Sequence, residues 1–407
     1  MKKYLSFLIL VLLALSLTIL TAGCGDPSAA GNETDAANGN EETVTLMSVS
    51  VNSLPDKTVY YEGETLDFSG LTLLATYSDG TSRIVTDGFA CAPESTDGAA
   101  GDLTVTVTHE GATATYGVTV MEMQVRLAEY GDGYCVTELI DKSAKNVTIP
   151  ESYAGKPVVA IGEKAFCERY DLESVTIPDS VTSIGKSAFG WCTGLKSVAI
   201  PSGVTAVGNA VFQNCASLDH VTIPSGVTSI GYLAFADCAN LKTVSLPSSV
   251  TSIGGYAFYG CKALTDVTIP SGVTIIEEYT FALCQALASV ELPSGLTAIE
   301  ETAFYCCHAL ESVTIPSGVT SIGDHAFDFC LGLTNVTIMP GVTSIGGCAF
   351  KGCEALKSLT LPSTVTNMGE TPFGGCKDYT VHYDGTPEQW EAIKGSFPKN
   401  VNVVFGS

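Results

Sequence analysis

The sequence predicts a solenoid of stacked 23-residue coils, each with a short parallel β-strand and a helical turn, preceded by a small all-β domain. Phenylalanine recurs ten times at an unbroken interval of 23 residues, from Phe166 to Phe373. Between residues 44 and 122, short runs rich in Thr, Val, Tyr and Leu alternate with turn residues, which is typical of strands. Because one strand and one turn cannot bury their own apolar face, the coils must stack on each other.

Composition limits the classes of function. The chain has 407 residues, 45% of them hydrophobic and 15% charged, which is enough for two or three domains with sizeable cores. Its 43 acidic and 19 basic residues give a net charge of −24. Such a charge repels nucleic acid and anionic lipid, so we expect no nucleic-acid partner. It suits a secreted protein that must stay soluble.

The first residues predict export. Lys2 and Lys3 precede an apolar run from Leu5 to Leu20, and small residues precede Cys24. The stretch Leu-Thr-Ala-Gly-Cys ending at Cys24 resembles the lipobox of bacterial lipoproteins, although Thr21 stands where leucine is commoner. This resemblance implies that residues 1–24 are a signal peptide ending at the lipobox cysteine, which becomes lipidated and anchors the protein outside the cytoplasmic membrane. The alternative is an uncleaved membrane helix, but the run is short for a bilayer core that needs about 20 residues.

Residues 25–43 and 44–122 differ sharply in composition. The first segment has no bulky apolar residue and several acidic ones, so it predicts a disordered tether. In the second, turns at Asp79-Gly80 and Glu110-Gly111 separate alternating runs and predict two hairpins. The segments 54–70 and 77–81 resemble the bacterial Ig-like domains of surface proteins. That resemblance implies a small sandwich that serves as a spacer, and its single cysteine, Cys91, excludes an internal disulfide.

The apolar residues of each coil follow two different spacings, one after the other. In the first part of the coil, Val175 and Ile177 alternate with Thr176, which predicts a short strand with its apolar side chains inward. Pro178 ends this strand because proline has no amide hydrogen to donate. From Ile184 to Cys192 the apolar spacing becomes three to four, which predicts a turn of α-helix or 3₁₀-helix.

The repeat resembles the BspA-like leucine-rich repeats of bacterial and protist surface proteins. We place this leucine-rich-repeat solenoid at residues 128–379 and a C-terminal cap at residues 380–407. An opening coil with extra residues between Pro150 and Phe166 is similar to the family's usual first coil. The resemblance implies binding to host matrix or to another cell, but it names no ligand.

Nine cysteines lie three residues after a repeat phenylalanine and predict one inward column. We interpret the column as core, because free cysteine packs as a small hydrophobic residue. Disulfide pairing or metal binding is the alternative. Cys306 and Cys348 are the candidates for exposed thiols. The nine are Cys192, Cys215, Cys238, Cys261, Cys284, Cys307, Cys330, Cys353 and Cys376.

No pattern in the sequence predicts catalysis. The five histidines occupy unrelated positions of the repeat or lie outside it, and none begins a metal-binding helix motif. No nucleophile elbow or phosphate-binding loop is present. We therefore predict that the protein is not an enzyme and that it needs no metal or cofactor.

Outward residues that depart from the repeat are the candidates for ligand binding. Exposed aromatic side chains are typical of protein-binding and sugar-binding surfaces, although each can instead cover its own coil. Tyr256 and Tyr279 lie one coil apart, so we expect their rings to stack. Glutamates at 277, 278, 300 and 301 form an acidic cluster, which is solvated surface or a weak calcium site, the former being favoured. The aromatic candidates are Trp191, Tyr232, Tyr256, Tyr259, Tyr279, Tyr305 and Phe329.

Three functions fit these observations. The first is a cell-surface adhesion or recognition protein that binds a protein partner, either host matrix or another cell, through its repeat surface. The second is a carbohydrate-binding lipoprotein in nutrient capture, using Trp191 and the tyrosines. The third is a purely architectural component of the envelope. Because repeat folds carry many functions on one frame, the periodic residues do not choose among them.

Overall fold

The computed structural model describes residues 43–399 and 401–406. The N-terminal part is a sandwich of two sheets. Its strands are β1 (Leu46–Ser53), β2 (Val59–Tyr61), β3 (Thr72–Tyr77), β4 (Ser82–Val85), β5 (Ala90–Ala92), β6 (Gly101–His109) and β7 (Ala112–Met121). One sheet has the order β1-β3-β4 and the other β2-β7-β6-β5. Both predicted hairpins, β3–β4 and β6–β7, are antiparallel pairs.

A small sheet joins the sandwich to the solenoid and covers the first coil. Its strands are Val125–Tyr130, Gly133–Leu139, Ser152–Tyr153 and Lys156–Ile161. The buried carboxylate of Glu64, in the sandwich, accepts a hydrogen bond of 2.8 Å from the amide of Ala154, in this sheet. Lys57 forms an ion pair of 3.0 Å with Glu64. The two units are therefore linked by a paired, buried charge.

The first strands of the coils build two parallel sheets, one of seven strands and one of five, that follow one another along the solenoid and that we together call the front sheet. In the regular coils, paired residues lie 23 positions apart, as Val198 and Val221 do. The offset is 28 at the first pair of strands, as for Val147 and Val175, and 22 at the last pair, as for Val381 and Val403. Valine side chains point into the core and threonines point outward, as the alternation predicts. The strands are Asn146–Thr148, Ser174–Thr176, Ser197–Ala199, His220–Thr222, Thr243–Val244, Asp266–Thr268, Ser289–Glu291, Ser312–Ile315, Asn335–Ile338, Ser358–Leu361, Thr380–Tyr383 and Asn402–Phe405.

A second short strand follows in each coil, where the sequence predicted only a turn of helix. These two-residue strands also pair in parallel with their equivalents one coil away. Among the described residues, the only helices are Pro387–Ile393 and the 3₁₀ segment Lys394–Ser396, both in the C-terminal tail. The second strands are Ser183–Ile184, Ala206–Val207, Ser229–Ile230, Ser252–Ile253, Ile275–Ile276, Ala298–Ile299, Ser321–Ile322, Ser344–Ile345 and Asn367–Met368.

The predicted helical turn is wrong because two residues of each coil adopt left-handed backbone angles. They stand two residues before and two residues after the phenylalanine, as at Ser187 with φ 53° and Trp191 with φ 63°. Alternate amides then donate to the next coil, as Phe189 does to the carbonyl of Val211 at 2.9 Å, while Gly190 donates within its own turn to Ser187 at 3.0 Å. A helix cannot continue through a left-handed residue.

The core is a set of stacked columns. Consecutive rings of the repeat phenylalanines lie 5.0–5.5 Å apart, and all ten are fully buried. The nine column cysteines are free and buried, which confirms the core interpretation. The Cys261 thiol, for example, donates to the carbonyl of Phe235 at 3.2 Å. Each thiol thus bonds to backbone and does not bridge to its neighbour.

The C-terminal tail closes the core. Thr386 and Gln389 form a capping box at the start of the helix Pro387–Ile393. Trp390 packs against Phe397 with 4.7 Å between ring centroids, and Phe397 stacks on Phe373 at 5.1 Å. Phe397 therefore extends the phenylalanine column by one ring, although it lies 24 residues after Phe373 and so out of phase with the repeat.

Candidate binding surface

The candidate aromatic residues all lie on one side of the solenoid, which we call the turn face. It consists of the seven residues of each coil from four before to two after the phenylalanine. Left-handed angles at Tyr256 (φ 59°) and Tyr279 (φ 55°) turn these side chains away from the core that the phenylalanines fill. Tyr232 is 45% exposed and the other tyrosines of this face are half-buried.

Four tyrosines on this face form a continuous group, which we call the tyrosine cluster: Tyr232, Tyr256, Tyr259 and Tyr279. The rings of Tyr256 and Tyr279 stack with centroids 4.4 Å apart and planes inclined by 11°, as expected from their spacing. Tyr232 meets Tyr256 edge to face at 5.5 Å. Tyr259 lies 5.6 Å from Tyr256 and 6.5 Å from Tyr279.

The remaining aromatic candidates lie outside this cluster. Tyr305 and Phe329 form a separate edge-to-face pair with 6.2 Å between centroids, and Phe329 is 40% exposed. Trp191 is 45% exposed and forms no ring pair with another described aromatic residue. The structure therefore brings together four of the seven predicted residues, places two beside them and leaves one apart.

An acidic groove adjoins the tyrosine cluster. The groove has a volume of about 360 Å³ and is lined by Tyr232, Gly255 and the glutamates at 277, 278, 300 and 301. Within the described chain, no Lys or Arg nitrogen lies within 4.0 Å of these four carboxylates. Nor do the described residues include a group of three His, Cys, Asp or Glu placed to hold a metal ion. The groove is thus a site of uncompensated negative charge.

Glu277 and Glu300 occupy a position that is glycine in the coils on either side. A Cβ atom added to Gly254 would lie 2.7 Å from the amide nitrogen of Tyr232, and one added to Gly323 would lie 2.5 Å from the carbonyl carbon of Glu300. Such approaches are too close for ordinary packing. Two consecutive coils therefore carry glutamate at a position where the close approach of the neighbouring backbone otherwise favours glycine. Both glutamates line the groove.

The surroundings of Tyr256 keep its phenol neutral. Burial, followed by the neighbouring phenol of Tyr279 and carboxylate of Glu278, raises the pKa of Tyr256 to about 12. The hydroxyl therefore keeps its proton at every physiological pH. A neutral phenol offers an apolar ring together with a hydrogen-bond donor.

Sequence reasoning missed one pair on the turn face. The Nδ1 atom of His325 lies 2.8 Å from Oδ2 of Asp328, whose side chain is only 3% exposed. The other carboxylate oxygen, Oδ1, has no hydrogen-bond partner among the described protein atoms. The spacing of three residues was a signal for this pair, but burial of Asp328 follows from the turn geometry, which the sequence pattern did not predict.

Comparison with known proteins explains the repeat. Residues 159–285 and 251–380 match the family model of the BspA type leucine-rich repeat region, with six copies. The chain belongs to the BspA-type leucine-rich repeat family. Residues 53–120 of this BspA-type chain match the bacterial Ig-like domain (group 3), which confirms the predicted resemblance. Proteins of this repeat type are typically surface-exposed, and leucine-rich-repeat proteins are generally non-enzymatic.

Solved structures similar to this BspA-type chain are bacterial leucine-rich repeat proteins. One from Bacteroides ovatus is 22% identical with a TM-score of 0.46, covering 70% of this chain and 99% of the other. A leucine-rich cell surface protein from Faecalibacterium prausnitzii is 28% identical with a TM-score of 0.41, covering 66% and 96%. A leucine-rich repeat protein from T. pallidum is 30% identical with a TM-score of 0.43, covering 52% and 88%.

A further match is partial. The chain is 33% identical over 87 residues to pectate lyase L of Thermoclostridium stercorarium, which is 21% of this chain and 7% of that protein. The predicted lipidation site, Cys24, lies outside the described residues, as does most of the predicted tether. No helix within residues 43–399 and 401–406 is long and apolar enough to cross a membrane.

Proposed function

We propose that this protein is a cell-surface recognition or adhesion protein that binds a protein partner through the turn face of its repeats. The observation that supports the proposal most directly is the tyrosine cluster, in which four rings from three adjacent coils contact one another at the surface. Tyrosine is enriched among the residues that dominate the energy of protein interfaces. Grouped aromatic side chains also lose little conformational entropy on binding.

The turn face suits this role better than the front sheet. Outward residues of the front sheet are mostly small and polar, such as Thr222 and Thr268, and they form a flat surface. Flat polar surfaces bind water well and offer few pockets for an anchoring side chain. The turn face instead combines the rings of Tyr232, Tyr256 and Tyr279 with a groove.

The proposal includes attachment to the cell envelope through a lipid on Cys24. The sandwich would then act as a spacer between the anchor and the solenoid. In support, the Glu64 carboxylate bonds both Lys57 and the amide of Ala154, which gives the junction a defined geometry. A spacer with such a junction holds the turn face away from the membrane in a fixed orientation.

A protein partner is favoured over a glycan by the arrangement of the rings. Sugar-binding surfaces present an open aromatic face on which a sugar ring stacks. Tyr256 and Tyr279 already cover one of each other's faces, and the exposed indole of Trp191 stands apart from them. We propose no catalytic activity, because within the described residues no serine, threonine or cysteine side chain is hydrogen-bonded to a histidine; His325 bonds Asp328 instead.

The experiment is a binding panel. The protein is applied to immobilised matrix proteins, to whole cells and to a glycan array, alongside the double variant Tyr256→Ala/Tyr279→Ala. The matched control is Tyr130→Ala/Tyr170→Ala, which removes two exposed tyrosines far from the cluster. The proposal predicts binding to a protein or a cell that the cluster variant loses and the control keeps. Binding that both variants keep, or binding only to glycans, would contradict it.

A further inference from the structure

We propose that the last strand of the front sheet, Asn402–Phe405, pairs with the same strand of a second copy of this chain, so that two solenoids join end to end in a symmetric dimer. The inference concerns the end of the solenoid and does not rest on the turn face as a binding surface. It assigns a partner to a sheet edge that the rest of the described chain leaves open.

The N-terminal edge of the front sheet is closed by a side chain. The first strand, Asn146–Thr148, has no further strand on its outer side among the described residues. The amide group of Gln124 takes that place: its Oε1 accepts a hydrogen bond of 2.9 Å from the amide of Thr148, and its Nε2 donates one of 3.3 Å to the carbonyl of Asn146. A strand edge with free backbone groups is a template for pairing with another chain. Gln124 removes that template at this end.

The opposite edge is open. Within residues 43–399 and 401–406, the strand Asn402–Phe405 pairs on one side only, with Thr380–Tyr383. It contains no charged residue and no proline, which are the residues that commonly protect an edge strand from pairing. The edge therefore offers backbone donors and acceptors to another strand.

Apolar side chains are also uncovered at this edge. Phe405 is 38% exposed, although it continues a column of inward side chains that are otherwise buried. Tyr383 packs against one side of its ring, with 6.3 Å between centroids, and Val404 is 46% exposed on the other face of the strand. A strand that pairs here would therefore gain apolar contacts as well as hydrogen bonds. The buried members of the column are Ile315, Ile338, Leu361 and Tyr383.

The distribution of charge favours a second copy that approaches this end and not the sides of the solenoid. Residues 263–350 carry nine acidic side chains and no Lys or Arg, so these coils repel one another. Residues 377–407 carry four acidic and three basic side chains. Among the described residues, Lys377, Asp378 and Lys399 have no oppositely charged partner within 4.0 Å. A surface with unpaired charges of both signs is complementary to a copy of itself.

The strand can pair with itself about a two-fold axis. Antiparallel pairing centred on Val404 places that residue opposite its own equivalent, and Val403 opposite Phe405 of the second copy. Residues opposite each other in an antiparallel ladder lie on the same face, so the inward side chains of the two strands cover one another. A two-fold contact uses the same surface twice and closes on itself. A head-to-tail contact would need the first strand, which Gln124 closes.

The test measures association by sedimentation over a series of protein concentrations. The unmodified protein is compared with Val404→Lys, with Val404→Glu and with an equal mixture of these two variants. Each variant alone places two like charges opposite each other at the two-fold axis, whereas the mixture places opposite charges there. The matched control is Ile84→Lys, which changes a 61% exposed residue on an edge strand of the sandwich. Thermal unfolding checks that every variant is folded.

We expect the unmodified protein and the control to form a species with twice the mass of one chain. Each variant at Val404 should raise the dissociation constant of this dimer by at least about tenfold. The mixture should associate more tightly than either variant alone, because opposite charges across a ladder attract. Amides of the strand Asn402–Phe405 should exchange with deuterium more slowly as the concentration of the unmodified protein rises.

Three results would overturn the inference. The first is an unmodified protein that stays monomeric at every concentration, the second a dimer that Val404→Lys leaves unchanged, and the third a mixture that associates no more tightly than its components. The variant Tyr256→Ala/Tyr279→Ala should associate like the unmodified protein, because the tyrosine cluster lies away from this edge. Loss of a partner from the binding panel with normal association would therefore concern the turn face alone.

Discussion

The stacked rings of Tyr256 and Tyr279 lie 4.4 Å apart at the surface, closer than any two consecutive rings of the buried phenylalanine column, which lie 5.0–5.5 Å apart. Both tyrosines hold left-handed backbone angles, which cost a non-glycine residue about 1 kcal/mol. Every coil has a left-handed residue at this position, and in these two adjacent coils that residue is a tyrosine. The turn geometry that recurs along the solenoid therefore presents two stacked rings at the surface here.

The phenylalanine column should dominate stability. Phe281→Ala removes a fully buried ring that stacks on both neighbours, so we expect the free energy of unfolding to fall by about 3–5 kcal/mol. Phe329→Ala, the same substitution at a 40% exposed ring, should cost less than about 1 kcal/mol. Urea denaturation of both variants measures the difference. Similar losses in the two would show that the column does not carry the core.

The cysteine column should be inert to thiol reagents. Burial raises the pKa of Cys192 to about 12 and that of Cys261 well above its ordinary value, so neither thiol ionises near neutral pH. Titration of the native protein with a thiol reagent at about pH 8 should therefore modify only half-buried cysteines such as Cys306 and Cys348. The eight column thiols from Cys192 to Cys353 should react only after unfolding, whereas a hydrogen bond with Cys353 lowers the pKa of Cys376 at the end of the column. Rapid modification of the column in the folded protein would contradict this prediction.

The same shifts predict a dependence of stability on pH. Above the ordinary thiol pKa of about 8.5, the unfolded chain loses protons that the folded chain retains. The free energy of unfolding should consequently fall as the pH rises beyond that value, with Cys192 contributing up to its folded pKa of about 12. Thermal unfolding between neutral and alkaline pH checks the sign. A Cys192→Ala variant should show a shallower decline, and a decline of equal slope would contradict the assignment to this thiol.

The junction between the sandwich and the solenoid should depend on Glu64. Replacing it by alanine leaves Lys57 and the amide of Ala154 without their partner, which should cost about 1–3 kcal/mol. Limited proteolysis should then cut the connection between Met121 and Val125 faster. Glu62→Ala, an exposed neighbour, is the control. Identical cleavage of the two variants would mean that Glu64 does not hold the junction.

Glycine should be tolerated at the left-handed positions. Ser187→Gly relieves a φ of 53°, so we expect the melting temperature to rise slightly, because the relief of about 1–2 kcal/mol of left-handed strain outweighs the entropy cost of glycine, which is roughly 0.5–1 kcal/mol. Ser183→Gly, in the adjacent second strand, should lower it. Differential scanning calorimetry compares the two variants. A lower melting temperature for Ser187→Gly would contradict the turn geometry described above.

The sequence was sufficient to predict the structural features that recur in every coil. The interval of 23 residues located the front strands, the buried phenylalanines and the inward cysteines, because each of these residues occupies the same buried position in every coil. It did not predict the turns, since spacing of three to four is shared by helices and by turns broken at left-handed residues such as Ser187. Gly260, Gly352 and Gly375, with Asn214 and Asp237 at the same place in the coil, were the available signal.

Non-periodic features were the hardest to predict. Phe397 completes the ring column but lies one residue out of phase, so no repeat count includes it. Of the aromatic candidates, the sequence predicted the stacking of Tyr256 and Tyr279 but not that Tyr232 would contact Tyr256 and line a groove with Glu278. That contact depends on how far the coils are rotated relative to one another, which the period alone does not determine.

The most direct test of the central claim compares the two faces of the solenoid. For a partner found in the binding panel, the half-saturating concentration is measured for the unmodified protein, for Tyr256→Ala/Tyr279→Ala on the turn face and for Thr222→Arg/Thr268→Arg on the front sheet. Both threonines are exposed, so arginine should obstruct that face without disturbing the core. We predict a rise of at least about tenfold for the tyrosine variant and no change for the threonine variant. The opposite result would place the binding surface on the front sheet and contradict the account.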